Sequence, residues 1–323
     1  MANQNQSTLM LNADTFRDNL PAVFRVLRVR QRLLPGKNQY QVLVSLYHAK
    51  HQINVHACYP QYDNQLIPGA LVKIRWPKRM VSIDGSLRID RLVILQEAEA
   101  SYQLFDTIPS YYAGSEEIMR RARALAQRLS DTHHLLLNHV FWNRGRLGRF
   151  LKGPGSLGGH HRGPHGNFRH AVEVAELAIG MQVELPVAAP SLMITAALLH
   201  DAGKADEYEF DQHTGYASMS PRGTLIGHRT TLLEWIAVAH DRMKKKLSKP
   251  HYEALVHALS AVSGAPEWTG CRVPMSREAF LVNTADRVSS HGDLLNQHAP
   301  ANEGFGTPHK HLKRLPFQVK EAA

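Results

Sequence analysis

The stretch "AALLHDAGKADE", residues 196–207, decides how the C-terminal part of this chain is read. An apolar run ends abruptly in His200-Asp201, and Gly203 and Lys204 follow at once. An imidazole, a carboxylate and an ammonium therefore meet at the end of a segment apolar enough to be a buried helix. Buried imidazoles and carboxylates are costly unless paired or bound to a cation. The segment points to a metal or a charged ligand rather than to packing alone.

Working outward, other polar residues lie inside or beside apolar segments. "FRHAVEVAELA" puts His170 at a helix start, and "GTLIGHRTTLLEWIAVA" puts His228 before another. "HYEALVHALSAV" and "EAFLVNTADRVSS" put His257 and Asp286 within helices. The helical period predicts helices at about 168–181, 191–202, 228–247, 250–262 and 277–295. Ser115, followed by Glu116 and Glu117, reads as the cap of an earlier one. His170, His200, Asp201 and Asp286, with His228 and His257, are the candidate metal ligands. Neutral imidazole with carboxylate suits divalent ions such as Mn, Fe, Ni, Zn or Mg. An ion so held lowers the pKa of a coordinated water. Lys204, one turn on, is placed to neutralise a phosphate oxygen.

Residues 22–97 have a different texture. "VFRVLRV" (23–29), "GKNQYQVLVSLY" (36–47), "HQINVHACY" (51–59), "GALVKIRW" (69–76) and "SLRIDRLVIL" (86–95) are short and rich in β-branched residues. Turn signals, "IDGS" among them, separate them. Five such strands predict a small barrel of the OB-fold kind. Folds of that kind hold single strands with a cationic groove and stacking aromatics. The candidates are Arg28, Arg30, Lys37, Tyr40, Tyr47, Tyr59, Lys73, Arg75 and Trp76. "NRGRLGRFLKGPGSLGG" (143–159) reads as a basic glycine-rich loop whose Arg144, Arg146, Arg149 and Lys152 could guide a nucleic-acid backbone.

The 323 residues carry a net charge of +10, most of it contributed between Arg17 and Arg91, which points to an anionic partner. The two cysteines, Cys58 and Cys271, are far apart and make neither a disulfide framework nor a CxxC clip. No stretch is long and apolar enough for a membrane span, and "MANQNQSTLM" lacks the order of a signal peptide, so a cytoplasmic protein is expected.

The ordered pattern H…HD…D resembles the HD metal-dependent phosphohydrolase superfamily, an all-α fold. Between about residues 22 and 295 the chain resembles, more finely, the YhaM-type 3′-to-5′ exoribonuclease family, which joins an N-terminal OB-fold to an HD domain. "PGSLGGHHRGPHGNFRH" is similar to that family's segment before the first ligand, and "GTLIGH", "EALVHALSAVSGAPEWTG" and "VPMSREAFLVNTADRVSS" follow its later motifs in order. The chain departs where the family has the histidine pair of SHHG, here Val262-Ser263, at the histidine of LHxxD, here Asn283, and at the GGLLEH glycines, here His165-Gly166. Related HD domains occur in relaxase-type proteins of conjugative elements, which leaves DNA open as substrate.

The expectation is a two-domain chain, an N-terminal small β-barrel (OB-fold) followed by an all-α HD domain. Its parts are a flexible leader (1–20), the nucleic-acid-binding barrel (21–100), a helical linker with the basic loop (101–159), the HD domain (160–295) and a flexible tail (296–323). The resemblance implies a metal-dependent 3′-to-5′ exonuclease on single-stranded RNA or DNA, with one or two ions of Mn²⁺ or Mg²⁺. It gives His160 or His161 the role of binding the phosphate or protonating the leaving oxygen, and it admits a homo-oligomer. The alternative from another class is a non-catalytic single-strand-binding accessory protein for DNA transfer or repair. A phosphohydrolase of small nucleotides has no need of a long cationic groove.

Overall fold

The computed structural model describes residues 17–78, 81–210 and 217–320. The expected leader lies outside the described residues as far as residue 16. Two compact units divide between Pro109 and Ser110.

The first unit is a mixed sheet of seven strands: β1 (Phe24–Leu33), β2 (Tyr40–His48), β3 (His51–Tyr59), β4 (Leu71–Arg75), β5 (Ser82–Ile83), β6 (Ser86–Arg88) and β7 (Arg91–Ile94). Their order is β5-β6-β3-β2-β1-β4-β7. β1, β2 and β3 form an antiparallel meander, β6 runs parallel to β3, and β7 pairs antiparallel with β4. The fifth strand expected from the sequence is thus broken in two. At the break, Ile89 N donates to His56 O and Asp90 N to Arg75 O. The "IDGS" turn carries Asp84 and Gly85 at φ 50 and 72, which closes the short β5–β6 hairpin as a primed turn.

Alternation along β1 to β3 sends Phe24, Val26, Val42, Val44, Leu46, Val55 and Ala57 into the core. A register irregularity between Val26 and Arg28 shifts the alternation along β1. Arg25, buried between Phe24 and Val26, donates to Thr107 O, Thr107 Oγ1 and Gly69 O.

The second unit is mainly helical: α1 (Glu116–Ala126), α2 (Asp131–Val140), α3 (Arg144–Lys152), α4 (Gly166–Met181), α5 (Pro190–Leu199), α6 (Lys204–Glu207), α7 (Pro221–Leu225), α8 (Gly227–Arg242), α9 (Lys249–Ser260) and α10 (Arg277–His298). It is not all-α, because two ribbons interrupt it: β8 (Tyr208–Phe210) with β9 (Ala217–Met219), and β10 (Gly304–Phe305) with β11 (Phe317–Gln318). The expected flexible tail is therefore, in its described part to residue 320, a returning ribbon. The expected basic loop is in its first half the helix α3. Asn143 Oδ1 caps it by accepting from Arg146 N, and Leu147, Phe150 and Leu151 are buried. Ser115 and Ser276 cap α1 and α10 in the same way.

α5 is buried almost from end to end and packs between α4 and α10. This arrangement brings the start of α4, the end of α5 and the middle of α10 to one place.

Candidate metal centre

His170 projects from the first turns of α4, His200 and Asp201 follow the end of α5, and Asp286 projects from α10. Their ligating atoms converge. His170 Nε2 lies 3.1 Å from Asp286 Oδ1, 3.2 Å from His200 Nε2 and 3.6 Å from Asp201 Oδ2. His200 Nε2 lies 3.5 Å from Asp201 Oδ2 and 3.8 Å from Asp286 Oδ1. An ion about 2.1 Å from each donor sets neighbouring donors roughly 3.0–3.4 Å apart, which the His170–Asp286 and His170–His200 separations match and the other three exceed by a few tenths of an ångström.

The hydrogen bonds behind the cluster decide the tautomers. His200 Nδ1 donates to Ala197 O at 2.7 Å, which leaves Nε2 with its lone pair. Ser289 Oγ donates its one proton to Glu173 Oε2 at 3.0 Å, so it accepts from His170 Nδ1, also at 3.0 Å. His170 Nε2 is then also a bare lone pair. Two imidazole acceptors and two carboxylate oxygens face one another in a buried space, and of the four only Asp201 Oδ2 has a donor, Lys204 Nζ, so the set suits a bound cation.

Burial raises the pKa of Asp201, but Lys204, His200, His228 and His170 pull it well below the usual carboxylate range. Burial also raises Asp286, and the close His170 and His200 rings bring it down to about 2. Burial lowers His170. Both carboxylates are held ionised and His170 neutral, the forms that bind a metal.

Residues 167–290 match the HD domain family. This domain is typical of metal-dependent phosphohydrolases, and the match spans all four converging residues. No solved structure matches the chain.

Around this centre the other candidates are distributed unevenly. Lys204 is buried, and its Nζ donates to Asp201 Oδ2 at 2.6 Å and to Gly155 O at 2.5 Å. The lysine expected to receive a phosphate is here committed to orienting a ligand. The His160 ring packs on His170 at 4.7 Å between centroids, and its Nδ1 lies 3.2 Å from His161 Nδ1. Burial, with His170 and Lys204 nearby, lowers His160 to about 3, so the ring is neutral near pH 7. A neutral ring does not deliver a proton as an imidazolium, which narrows His160 to hydrogen bonding or metal ligation. The His161 ring also lies beside His170, 4.9 Å between centroids. Its Nε2 donates to Glu173 Oε2 at 2.8 Å and its backbone N to Asp293 Oδ2 at 2.6 Å.

His228 Nε2 faces Asp201 Oδ1 at 3.4 Å, and its Nδ1 meets Glu207 Oε2 at 3.1 Å. His257 stands apart, its Nε2 accepting from Met275 N at 2.9 Å. Among the described residues, the groups able to hold an ion are His160–His161–His170 and His170–His200–Asp286. Ser263 N donates to Asn283 Oδ1 at 3.4 Å, a neutral hydrogen bond between the loop after α9 and α10.

α3 holds Arg146 over the Trp235 ring at 3.8 Å, with a hydrogen bond to Val140 O. Arg149 donates to Ala205 O at 2.6 Å and pairs with Asp206. Arg144, Arg149 and Lys152 still line one open groove with Arg162.

In the first unit, Arg28, Arg30, Lys37 and Arg75 are exposed, but Lys73 is paired with Glu99 at 2.5 Å. Tyr40, Tyr59 and Trp76 pack against the core, and Tyr59 Oη accepts from Leu92 N. The expected aromatics are thus mostly structural. Sequence reasoning missed Glu173, Asp293 and Ser289. The spacing of Glu173 three residues after His170, and of Ser289 three after Asp286, was the available signal.

Proposed function

We propose that the chain is a metal-dependent phosphodiesterase that shortens single-stranded nucleic acid, RNA or DNA, from its 3′ end. The observation that carries this is the convergence of His170 Nε2, His200 Nε2, Asp201 Oδ2 and Asp286 Oδ1, four acceptors with no donor among them. Mn²⁺ or Mg²⁺ held there would polarise a phosphoryl oxygen and lower the pKa of a coordinated water. Ser289 and Glu173 orient His170, Ala197 O orients His200, and Lys204 orients Asp201. His160 stands beside them as a neutral partner for a phosphate oxygen.

The nucleic-acid part of the proposal draws support from the first unit. The stretch 86–94 pairs parallel with β3 in its first half and antiparallel with β4 in its second. One strand bridging two others in this way favours a closed barrel of the OB kind. On the outer face of the meander, Arg30 stands opposite Leu43, Leu43 opposite His56, and His56 opposite Arg88. Arg28 and Arg32 extend the column of exposed arginines on β1. With its aromatics largely in the core, this surface would grip phosphates through charge more than bases through stacking.

A second reading has its own observation. His257 is engaged by Met275 N, and the Ser263–Asn283 bond replaces family histidines, which favours a single ion or a binding protein whose HD domain is a scaffold. Cleavage of 5′-labelled single-stranded RNA and DNA, with Mn²⁺ or chelator, for wild type and Asp201→Ala, separates the two. A metal-dependent ladder shortening from the 3′ end and lost in the variant supports the exonuclease. Strand binding without turnover supports the scaffold.

A further inference from the structure

The segment after α10 lies beyond the HD match, yet it is built onto the same unit. β10 and β11 return the chain, and the loop between them is tied at several points. Thr307 N donates to His298 O at 3.0 Å, Gly306 N to Pro316 O at 2.8 Å, and His309 Nε2 to Gly158 O at 3.1 Å. The His309 ring lies against His298, 4.8 Å between centroids. A Cβ at Gly306 would lie 1.9 Å from His298 O, so this close approach requires glycine. Lys313 takes a left-handed conformation at φ 59, which a lysine adopts only where its surroundings impose it.

Docked in this way, the loop walls a half-open cleft of about 580 Å³ with α10 and the glycine-rich turn, a size in the range of small-molecule sites. Arg287 and His291 enter it from α10, Lys310, His311 and Lys313 from the loop, and His160 from the turn. No Asp or Glu lines it. Among the described residues, no carboxylate pairs with Arg287, Lys310 or Lys313. The crowding is unfavourable in itself, since burial together with Lys310, His309 and His291 lowers His311. One wall residue, His160, is the ring that packs on His170 of the metal centre.

We propose that the C-terminal loop completes an anion subsite beside the metal centre, in which Arg287, Lys310 and Lys313 hold a phosphate adjoining the one to be cut. This rests on the phosphodiesterase reading for its role, but the binding it requires does not. Three cations without a carboxylate partner around one cavity suit a doubly or triply charged group such as neighbouring phosphodiesters or a pyrophosphate. Because Arg287 follows Asp286 on α10, the subsite would set the register of a strand relative to the metal ligands.

The test is calorimetric titration of the full-length protein with inorganic pyrophosphate in EDTA, which removes any contribution from a bound metal. Wild type is compared with Lys310→Ala/Lys313→Ala and with Arg144→Ala/Lys152→Ala, which empties the α3 groove instead. All four positions are at the surface, and circular dichroism checks each fold. A loss of at least tenfold in affinity confined to the Lys310/Lys313 variant is expected. Equal affinity in that variant, an equal loss in the α3 variant, or no binding by wild type overturns the subsite. Mn²⁺-dependent hydrolysis of bis(p-nitrophenyl) phosphate is measured alongside. Its absence in wild type removes the phosphodiesterase reading while the titration still decides the subsite.

Discussion

Lys204 Nζ lies 2.6 Å from Asp201 Oδ2, the same oxygen that faces His170 Nε2 at 3.6 Å and His200 Nε2 at 3.5 Å. One carboxylate oxygen thus joins an ammonium on one side to the ligand cluster on the other. Lys204→Met removes the ammonium and strips Gly155 O of its donor. Breaking a buried pair from one side costs about 3–5 kcal/mol. Urea unfolding in chelator should show a loss of this order. Asp201→Asn/Lys204→Met should lose less than the sum of the single changes, and strict additivity would mean that the pair is not coupled.

Ser289 is predicted to act on metal affinity without touching a metal. It relays His170 Nδ1 to Glu173, and so holds the ring with Nε2 toward the other ligands. Loss of such a support typically weakens metal binding by about 10–100-fold. Ser289→Ala should reduce Mn²⁺ affinity in this range by calorimetry, and cost about 1–3 kcal/mol of stability because the buried His170 Nδ1 loses its acceptor. Ser290→Ala, one position on and bonded only to Arg287 O, is the control.

The legible parts of this molecule were those in which chemistry and period disagree. His170, His200, Asp201 and Asp286 stood out because each interrupts an apolar helical pattern, and the fold brings them together. Ser289 and Glu173 did not stand out, because a serine or glutamate on a helix reads equally well as solvated surface. α3 was missed because Gly145 and Gly148 weaken its local propensity, and burial of Leu147, Phe150 and Leu151 supplies what the local sequence lacks. Tyr40 and Trp76 could not be assigned to a face, since each stands at the end of a strand, where alternation has no neighbour beyond it to fix the register. The residues after His298 have the composition of a disordered tail, and their ribbon rests on bonds to distant residues such as Gly158.

His133 supplies a pH dependence away from the metal centre. It is buried on α2, with Nδ1 2.9 Å from Ser130 Oγ, and burial, with His251 and His134 nearby, lowers it from 6.5 to about 4. The unfolded chain then binds a proton between these values that the folded chain refuses, so this contribution to stability is present above pH 6.5 and lost as pH falls toward 4. The loss is on the order of 2 kcal/mol at pH 4.5. His133→Phe should reduce the difference in unfolding free energy between pH 7 and pH 4.5 by that amount, whereas an unchanged difference would place the titration elsewhere.

The arginine column of β1 makes a separate prediction about salt. Binding to a single strand releases counterions in proportion to the phosphates neutralised, and each phosphate left without its cation lowers the slope of log K against log salt by about 0.7. Arg28→Ala/Arg30→Ala/Arg32→Ala should therefore flatten the slope by about 2, read by fluorescence anisotropy of a labelled oligonucleotide across salt concentrations. Trp76 packs on the core, so Trp76→Ala should lower stability while leaving the salt slope as it was. A slope unchanged by the triple substitution would move the binding face elsewhere.

Gly203 ties the sequence around His200 to its geometry. A Cβ there would lie 2.0 Å from His228 O and 2.8 Å from His228 C, which are backbone atoms that cannot swing aside. The turn that carries Asp201 and Lys204 packs directly on the first turn of α8 at this point, and only a hydrogen fits between them. Gly203→Ala forces the two backbones apart, at a cost of about 3 kcal/mol for overpacking of this kind. For a unit of this size that lowers the melting temperature by roughly 6–12 °C. Because the displaced segments carry His200, Asp201 and His228, Mn²⁺ affinity should fall with it. Gly180→Ala, where nothing lies within 4 Å of the added carbon, should do neither. Equal melting temperatures for Gly203→Ala and Gly180→Ala would mean that the HD turn does not sit against α8 in solution.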